Sequence, residues 1–205
     1  MKLKGFYFIT DRRLSKAGNI EDVRNALKAG AQVVQYREKS VSTKELFSRA
    51  LALRRICKNT IFIVNDRVDI ALAVGADGVH LGSSDMPYSA ARKILGPGKI
   101  IGLTVHNLKE AIDAQKQGAD YVGVAPVFRT ATKDDAGNPC GVKLVKRIKK
   151  SVRIPVVAIG GIKLSNAKQV IDAGADCICA ISAVVTKRDV KKEILSFRKL
   201  FKNNG

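Results

Sequence analysis

Four times along the chain a helical pattern runs into a glycine and then into an apolar stretch: AGAQVV at 29–34, VGADGV at 74–79, QGADYV at 117–122 and AGADCI at 173–178. Glycine takes up the left-handed conformation that closes a helix, and an apolar run just beyond it suits a buried strand. Each segment therefore reads as a joint from helix to strand. Four further apolar runs lie between the joints: GFYFIT at 5–10, IFIVND at 61–66, IIGLTV at 100–105 and PVVAIGG at 155–161. Together they predict eight short strands, each separated from the next by a segment able to hold a helix, although the connection at 67–75 is short.

Strand–helix alternation implies a parallel sheet. Eight such units in 205 residues match a single-domain α/β protein with a (β/α)8 TIM barrel spanning residues 1–205, although an open doubly wound sheet shares the local pattern. No G-x-G-x-x-G opens a helix after the first strand, which removes the usual dinucleotide fingerprint and favours the barrel. A hydrophobic fraction of 46% supports a sizeable core, and no low-complexity or Pro/Gly/Ser-rich linker divides the chain. The N-terminal MKLKGFYFIT has too short an apolar run for a signal peptide, and no stretch of 18 apolar residues occurs, so a cytoplasmic protein is expected. Cys57, Cys140, Cys177 and Cys179 lack a paired C-x2-C spacing and read as buried thiols.

Lys and Arg number 37 against 18 Asp and Glu, a formal charge of +19. Such an excess suits nucleic acid, an acidic membrane surface or phosphorylated small molecules. The densest basic segments, 143–150 and 187–202, carry apolar residues at helical spacing, so they read as solvated faces of amphipathic helices. Aromatic residues make up only 5% of the chain and do not interleave with those segments, and no zinc-finger, RNP or GXXG pattern occurs. Neither a nucleic-acid nor a membrane partner is expected; phosphorylated small molecules are, and a homo-oligomer remains open.

Barrel enzymes build their sites at the C-terminal ends of the strands. The predicted exits carry Thr10 and Asp11, then Gln35, Arg37 and Lys39, then Asn65 and Asp66, then His80 with Asp85, then Thr104 and His106, then Thr130, Thr132 and Lys133, then Gly160 and Gly161, and finally Ser182. In VVQYREKS at 33–40 the period of two puts Gln35, Arg37 and Lys39 on one face, with Tyr36 and Glu38 on the other. A polar row ending a core strand asks for a polar ligand. Asp66 and Asp85 suit a Mg2+ ion, which takes one or two carboxylates plus waters and phosphate oxygens; each equally suits a helix cap. Arg37, Lys39 and Lys133 together could neutralise a diphosphate, with Gln35, Asn65 and Thr104 supplying neutral hydrogen bonds. A second anion site is suggested by AIGG and AIS on the last two strands, where backbone N–H groups open helices. His80, between Val79 and Leu81, reads as an inward structural or substrate-contacting imidazole, and His106 as a helix start. No Ser/His/Asp or Cys/His set appears.

The segments VVQYREK (33–39), IVNDRVDIALAVGADGVHLG (63–82), DMP (85–87), GADYVGVAPVFRTATKDD (118–135), PVVAIGGI (155–162) and AISAV (180–184) resemble the thiamine-phosphate synthase family, in order and over nearly the whole chain. The resemblance implies a barrel transferase of thiamine biosynthesis. It would join 4-amino-2-methyl-5-(diphosphooxymethyl)pyrimidine to 4-methyl-5-(2-phosphooxyethyl)thiazole, or its carboxylated form, and release diphosphate. It further implies that Gln35, Tyr36, Arg37, Glu38, Lys39, Asn65, Thr104 and Lys133 hold the pyrimidine diphosphate, with Arg37, Lys39, Thr104 and Lys133 acting in catalysis. Thr130, Ala131, Thr132, Gly161, Ile181 and Ser182 would hold the thiazole phosphate, and Asp66 and Asp85 would bind Mg2+.

The chain departs from the family pattern at Ser83 and Ser84, where G-Q-E-D is common, and at Ala125 and Arg129, where Gly and Pro are common. Thiazole tautomerases look similar through much of the barrel, but typically lack the second metal Asp and carry His at the position of Pro126. Asp85, Thr132 and Pro126 therefore favour the synthase. A basic nucleic-acid-binding module on a barrel scaffold is the third reading.

Overall fold

Each apolar run forms a strand, and helices fill the connections. The computed structural model describes residues 3–132 and 137–202. The order is β1 (Gly5–Ile9), α1 (Asn19–Lys28), β2 (Val33–Tyr36), α2 (Thr43–Ile56), β3 (Ile61–Asn65), α3 (Val68–Ala73), β4 (Gly78–Leu81) and α4 (Tyr88–Leu95). It continues with β5 (Ile100–Val105), α5 (Leu108–Gln117), β6 (Tyr121–Val124), α6 (Gly141–Ser151), β7 (Val156–Ile159), α7 (Leu164–Asp172), β8 (Cys177–Cys179), α8 (Ser182–Val185) and α9 (Val190–Lys202). All neighbouring strands are parallel, and β1 pairs with β8 through Gly5–Cys177 and Phe6–Ile178, which closes the sheet into a barrel. An open sheet would leave those two edges apart.

Strand alternation divides the core in two. Tyr7, Ile9, Val33, Ile63, Tyr121, Val157, Cys177 and Cys179 point inward and pack on one another inside the barrel. Their neighbours Phe6, Phe8, Val34, Tyr36, Phe62, Val122 and Ile178 point outward and pack under the helices. The helices answer with one apolar stripe each. On α6, Val145 and Ile148 are buried while Lys143, Lys146, Arg147 and Lys150 are exposed, and on α9 Ile194 and Phe197 are buried while Lys191, Lys192 and Lys199 are exposed. Both basic segments thus display solvated outer faces.

The four joints close as expected, with Gly30, Gly75, Gly118 and Gly174 at φ of 74°, 65°, 97° and 97°. Three of them read Gly-Ala-Asp, and there the Asp clasps the barrel floor. Asp77, Asp120 and Asp176 each accept the first free N–H of the preceding strand, from Phe62 at 2.7 Å, Ile101 at 2.8 Å and Val156 at 2.8 Å. Each carboxylate also meets a cation from the helix that leads into that preceding strand: Arg54 of α2 at 3.4 Å, Arg92 of α4 at 2.9 Å and Lys149 of α6 at 2.6 Å. The first joint carries Gln32 instead, which is exposed.

Cys57, Cys177 and Cys179 are buried, and all four cysteines are free thiols. Burial pushes the thiols of Cys57 and Cys177 up to about 12, so neither holds a reactive thiolate at neutral pH. Among the described residues no helix is long and apolar enough to cross a membrane.

Candidate active site

The strand exits converge on one cavity at the C-terminal mouth of the barrel. It is lined by Gln35, Arg37 and Lys39, by Asn65 and Asp66, by Asp85 and Thr104, by Thr130 and Thr132, and by Gly161, Ile181 and Ser182. Residues predicted from seven separate strand ends, those of β2 to β8, thus share one space. Lys133 lies outside the described residues.

The period of two decides what β2 and its extension contribute. Gln35, Arg37 and Lys39 face the cavity. Tyr36 and Glu38 do not. Tyr36 is buried in the outer core, and the Glu38 carboxylate accepts from Arg49 of α2 at 3.2 Å and caps its own loop at Lys39 N, 3.0 Å. Their side chains sit on the helix side of the sheet. Ala131 is exposed between the two threonines and does not line the cavity.

Arg37 is held from β1. The Thr10 hydroxyl accepts from Arg37 N at 3.0 Å and donates to Arg37 O at 3.3 Å. Asp11 Oδ1 accepts from the backbone of Arg13 and Leu14, which leaves Oδ2 without a hydrogen bond, 3.7 Å from Arg37 Nη1. A buried carboxylate beside a guanidinium fixes the guanidinium in place. Position at a strand exit was the only sequence signal for Thr10 and Asp11, and it does not separate positioning from binding.

Neither acidic residue at the mouth caps a helix: the caps of α3 and α4 are Arg67 and Pro87. Asp85 Oδ2 instead accepts from Gly82 N at 2.7 Å, which folds the Ser83–Ser84 loop around it. Asp66 stands at φ 62°, the one described residue other than glycine in the left-handed region, and its N–H donates to His80 O at 2.8 Å. Burial, followed by the Asp85 carboxylate within hydrogen-bonding reach, pushes the Asp66 carboxyl up to about 6, against the pull of Lys39 at 3.3 Å. Two carboxylates are crowded in one polar cavity, a strain that a divalent cation would relieve. Among the described residues no cluster of three or more metal-binding side chains occurs, which leaves two carboxylates as the protein's share of such a shell.

Opposite these residues, the loops after β6 and β7 close on each other, Val127 N donating to Ile159 O at 2.9 Å and Phe128 N to Gly160 O at 3.0 Å. The Thr130 hydroxyl accepts from Thr132 N at 3.2 Å, curling the loop after β6. Gly161 at φ 63° lies so close to that loop that a Cβ would sit 2.4 Å from Arg129 O and 2.8 Å from Phe128 Cβ. Only glycine fits there, and its carbonyl accepts from Asn166 Nδ2 at 3.0 Å as α7 begins.

A model of a family described as thiamine monophosphate synthase matches residues 6–184. The chain is 53% identical over 193 residues to a thiamine-phosphate synthase of Methanosarcina barkeri, an alignment covering 94% of this chain and 88% of that one. The solved thiamine phosphate pyrophosphorylase from Pyrococcus furiosus superposes with a TM-score of 0.90 at 45% identity, covering 98% of this chain and 96% of that chain. A 3-hexulose-6-phosphate synthase superposes with a TM-score of 0.72 at 18% identity, which is a likeness of fold alone.

Proposed function

We infer the chemistry of the mouth from the premise that the chain belongs to the thiamine monophosphate synthase family. It is a transferase that joins a pyrimidine diphosphate to a thiazole phosphate, giving thiamine phosphate and diphosphate. The proposal concerns which residues do this and how. We place it in the cytoplasm, with the whole chain acting as one catalytic unit.

In this reaction the pyrimidine methylene loses its C–O bond, the electron pair leaves with diphosphate, and the thiazole nitrogen lone pair closes the new C–N bond. No protein nucleophile is required. The protein must hold the two rings in line and stabilise charge that grows on the departing diphosphate. Arg37, fixed by Asp11 and Thr10, and Lys39 supply positive charge where the diphosphate would lie, and Asn65 adds a neutral donor. Lys133 is assigned the same task on family resemblance. Gln35 and Thr104 face the pyrimidine from deeper in the barrel. Thr130, Thr132, the backbone at Gly161 and Ser182 would take the thiazole phosphate on the opposite wall, with Ile181 against the ring.

Mg2+ bound by Asp66 and Asp85 would supply Lewis-acid stabilisation of the leaving diphosphate. The single observation that carries the reading is the pair of carboxylates, Asp66 and Asp85, in one cavity with Arg37 and Lys39, which Thr130, Thr132 and Gly161 also line. Tautomerisation of a thiazole would have no use for that pair.

The test is product analysis. Protein mixed with both phosphorylated substrates and Mg2+ is expected to form thiamine phosphate and one equivalent of diphosphate, and neither when any component is omitted. Isomerisation of a thiazole carboxylate phosphate, without pyrimidine or metal, would replace this reading with the tautomerase one.

A further inference from the structure

Below the cavity, five polar side chains from five strands form one hydrogen-bonded chain across the barrel interior. Gln35 Nε2 donates to Tyr7 OH at 2.9 Å, and Tyr7 OH meets Tyr121 OH at 2.7 Å. Tyr121 OH meets His80 Nδ1 at 2.9 Å, and His80 Nε2 meets Thr104 Oγ1 at 2.9 Å. The two ends, Gln35 and Thr104, are the groups assigned to the pyrimidine. The chain's middle is built for the purpose. Tyr121 lies next to Gly102 across the β5–β6 pair, and a Cβ on Gly102 would stand 2.0 Å from Tyr121 Cζ. Tyr121 also stacks on His80 at 5.5 Å between ring centroids.

The direction of this chain follows from counting hydrogens. Both phenols are 1% exposed, and burial raises both pKa values, so each oxygen carries one hydrogen to place. Tyr7 accepts from the Gln35 nitrogen, so its own hydrogen goes to Tyr121. Tyr121 then has its hydrogen left for His80 Nδ1. His80 must be protonated on Nε2 and donates to Thr104, whose hydroxyl hydrogen is thereby released toward the cavity. The opposite direction, or an imidazolium, would leave the Tyr7 hydrogen buried without an acceptor. It would require the Gln35 carbonyl against Tyr7, and it would turn the Thr104 hydrogen back onto His80.

We propose that Tyr7, Tyr121 and His80 are positioning residues whose one-way hydrogen-bond relay makes Thr104 a donor and leaves the Gln35 carbonyl as an acceptor, a pattern complementary to an aminopyrimidine edge. A ring nitrogen accepts from Thr104, and an exocyclic amino group donates to Gln35. A pyrimidinone, with the amino group replaced by a carbonyl oxygen, would set acceptor against acceptor at Gln35. The ligand assignment rests on the synthase reading, whereas the relay's direction rests on the Gln35 amide nitrogen standing at Tyr7.

Nitrogen-15 NMR of histidine-labelled protein without substrate tests the direction, with the two imidazoles told apart by the His106→Asn protein. His80 is expected to carry its proton on Nε2 only. In Tyr121→Phe, which keeps the ring and removes the Nδ1 partner, the tautomers are expected to mix. There the KM for the pyrimidine diphosphate should rise about fivefold to tenfold, while the KM for the thiazole phosphate changes by less than about twofold. A proton on His80 Nδ1 in the wild-type protein overturns the proposal without any variant. An unchanged tautomer in folded Tyr121→Phe overturns it as well. If thiamine phosphate fails to form, the synthase reading falls and the spectrum still decides the relay; if it forms while the spectrum disagrees, only the relay falls.

Discussion

Asp85→Asn is expected to slow diphosphate release at least about a hundredfold at saturating substrates and Mg2+, with the fold intact. The substitution keeps the shape of the side chain, and an asparagine oxygen can still accept from Gly82 N, so the Ser83–Ser84 loop keeps its anchor. What is lost is one of two negative charges at the site assigned to Mg2+. Removing it also relieves Asp66, whose raised pKa owes part of its shift to Asp85. The variant should therefore fold at least as well as the wild-type protein while failing in turnover, and a Mg2+ titration should show a weakened apparent affinity. Initial rates of diphosphate release, with circular dichroism as the check on folding, measure both. Activity within about threefold of wild type would remove Asp85 from the metal role.

At the other end of the barrel, Asp176→Ala is expected to lower stability by about 2–3 kcal/mol, a fall in Tm on the order of 5–10 °C, with kcat nearly unchanged in the folded protein. Asp176 is three-quarters buried and accepts from Val156 N at 2.8 Å and from Lys149 Nζ at 2.6 Å. Truncation orphans the N–H at the start of β7 and leaves the α6 ammonium without its carboxylate. Gln32→Ala, at the joint lacking this clasp, is the matched control and should change Tm by no more than about 2 °C, since surface substitutions shift stability little. Equal effects at the two positions would mean that the joint's backbone, and not its carboxylate, holds the floor.

The fold was legible because joints and apolar runs are local signals. Barrel closure was not a local signal: it rests on β1 meeting β8 through Gly5 and Cys177, residues far apart in sequence, and only the number of units argued for it. At the mouth, the period of two correctly turned Gln35, Arg37 and Lys39 to the cavity, and the same rule already turned Tyr36 and Glu38 away. Their place among the expected pyrimidine-site residues came from the family motif and not from that rule. Tyr7 and Tyr121 were illegible for a different reason. A tyrosine inside an apolar strand reads as core, and its hydroxyl becomes informative only when the other hydroxyl, 114 residues away, is found beside it. The Asp of the Gly-Ala-Asp joints was hidden in the same way: repetition marked the turn, while its partners lie on a preceding strand and helix.

Asp66 is the residue at which this barrel is locally frustrated. Its left-handed backbone costs an L-residue with a Cβ about 1–2 kcal/mol, and its ionised carboxylate is set against both burial and Asp85. Neither burden serves the fold. Both are carried by a framework whose strands are clasped elsewhere, so ligation at the mouth and global unfolding are two branches of one linked equilibrium. A cation captured there would discharge the electrostatic burden only in the native state, and the liganded enzyme, not the resting one, would then be the chain's most stable form.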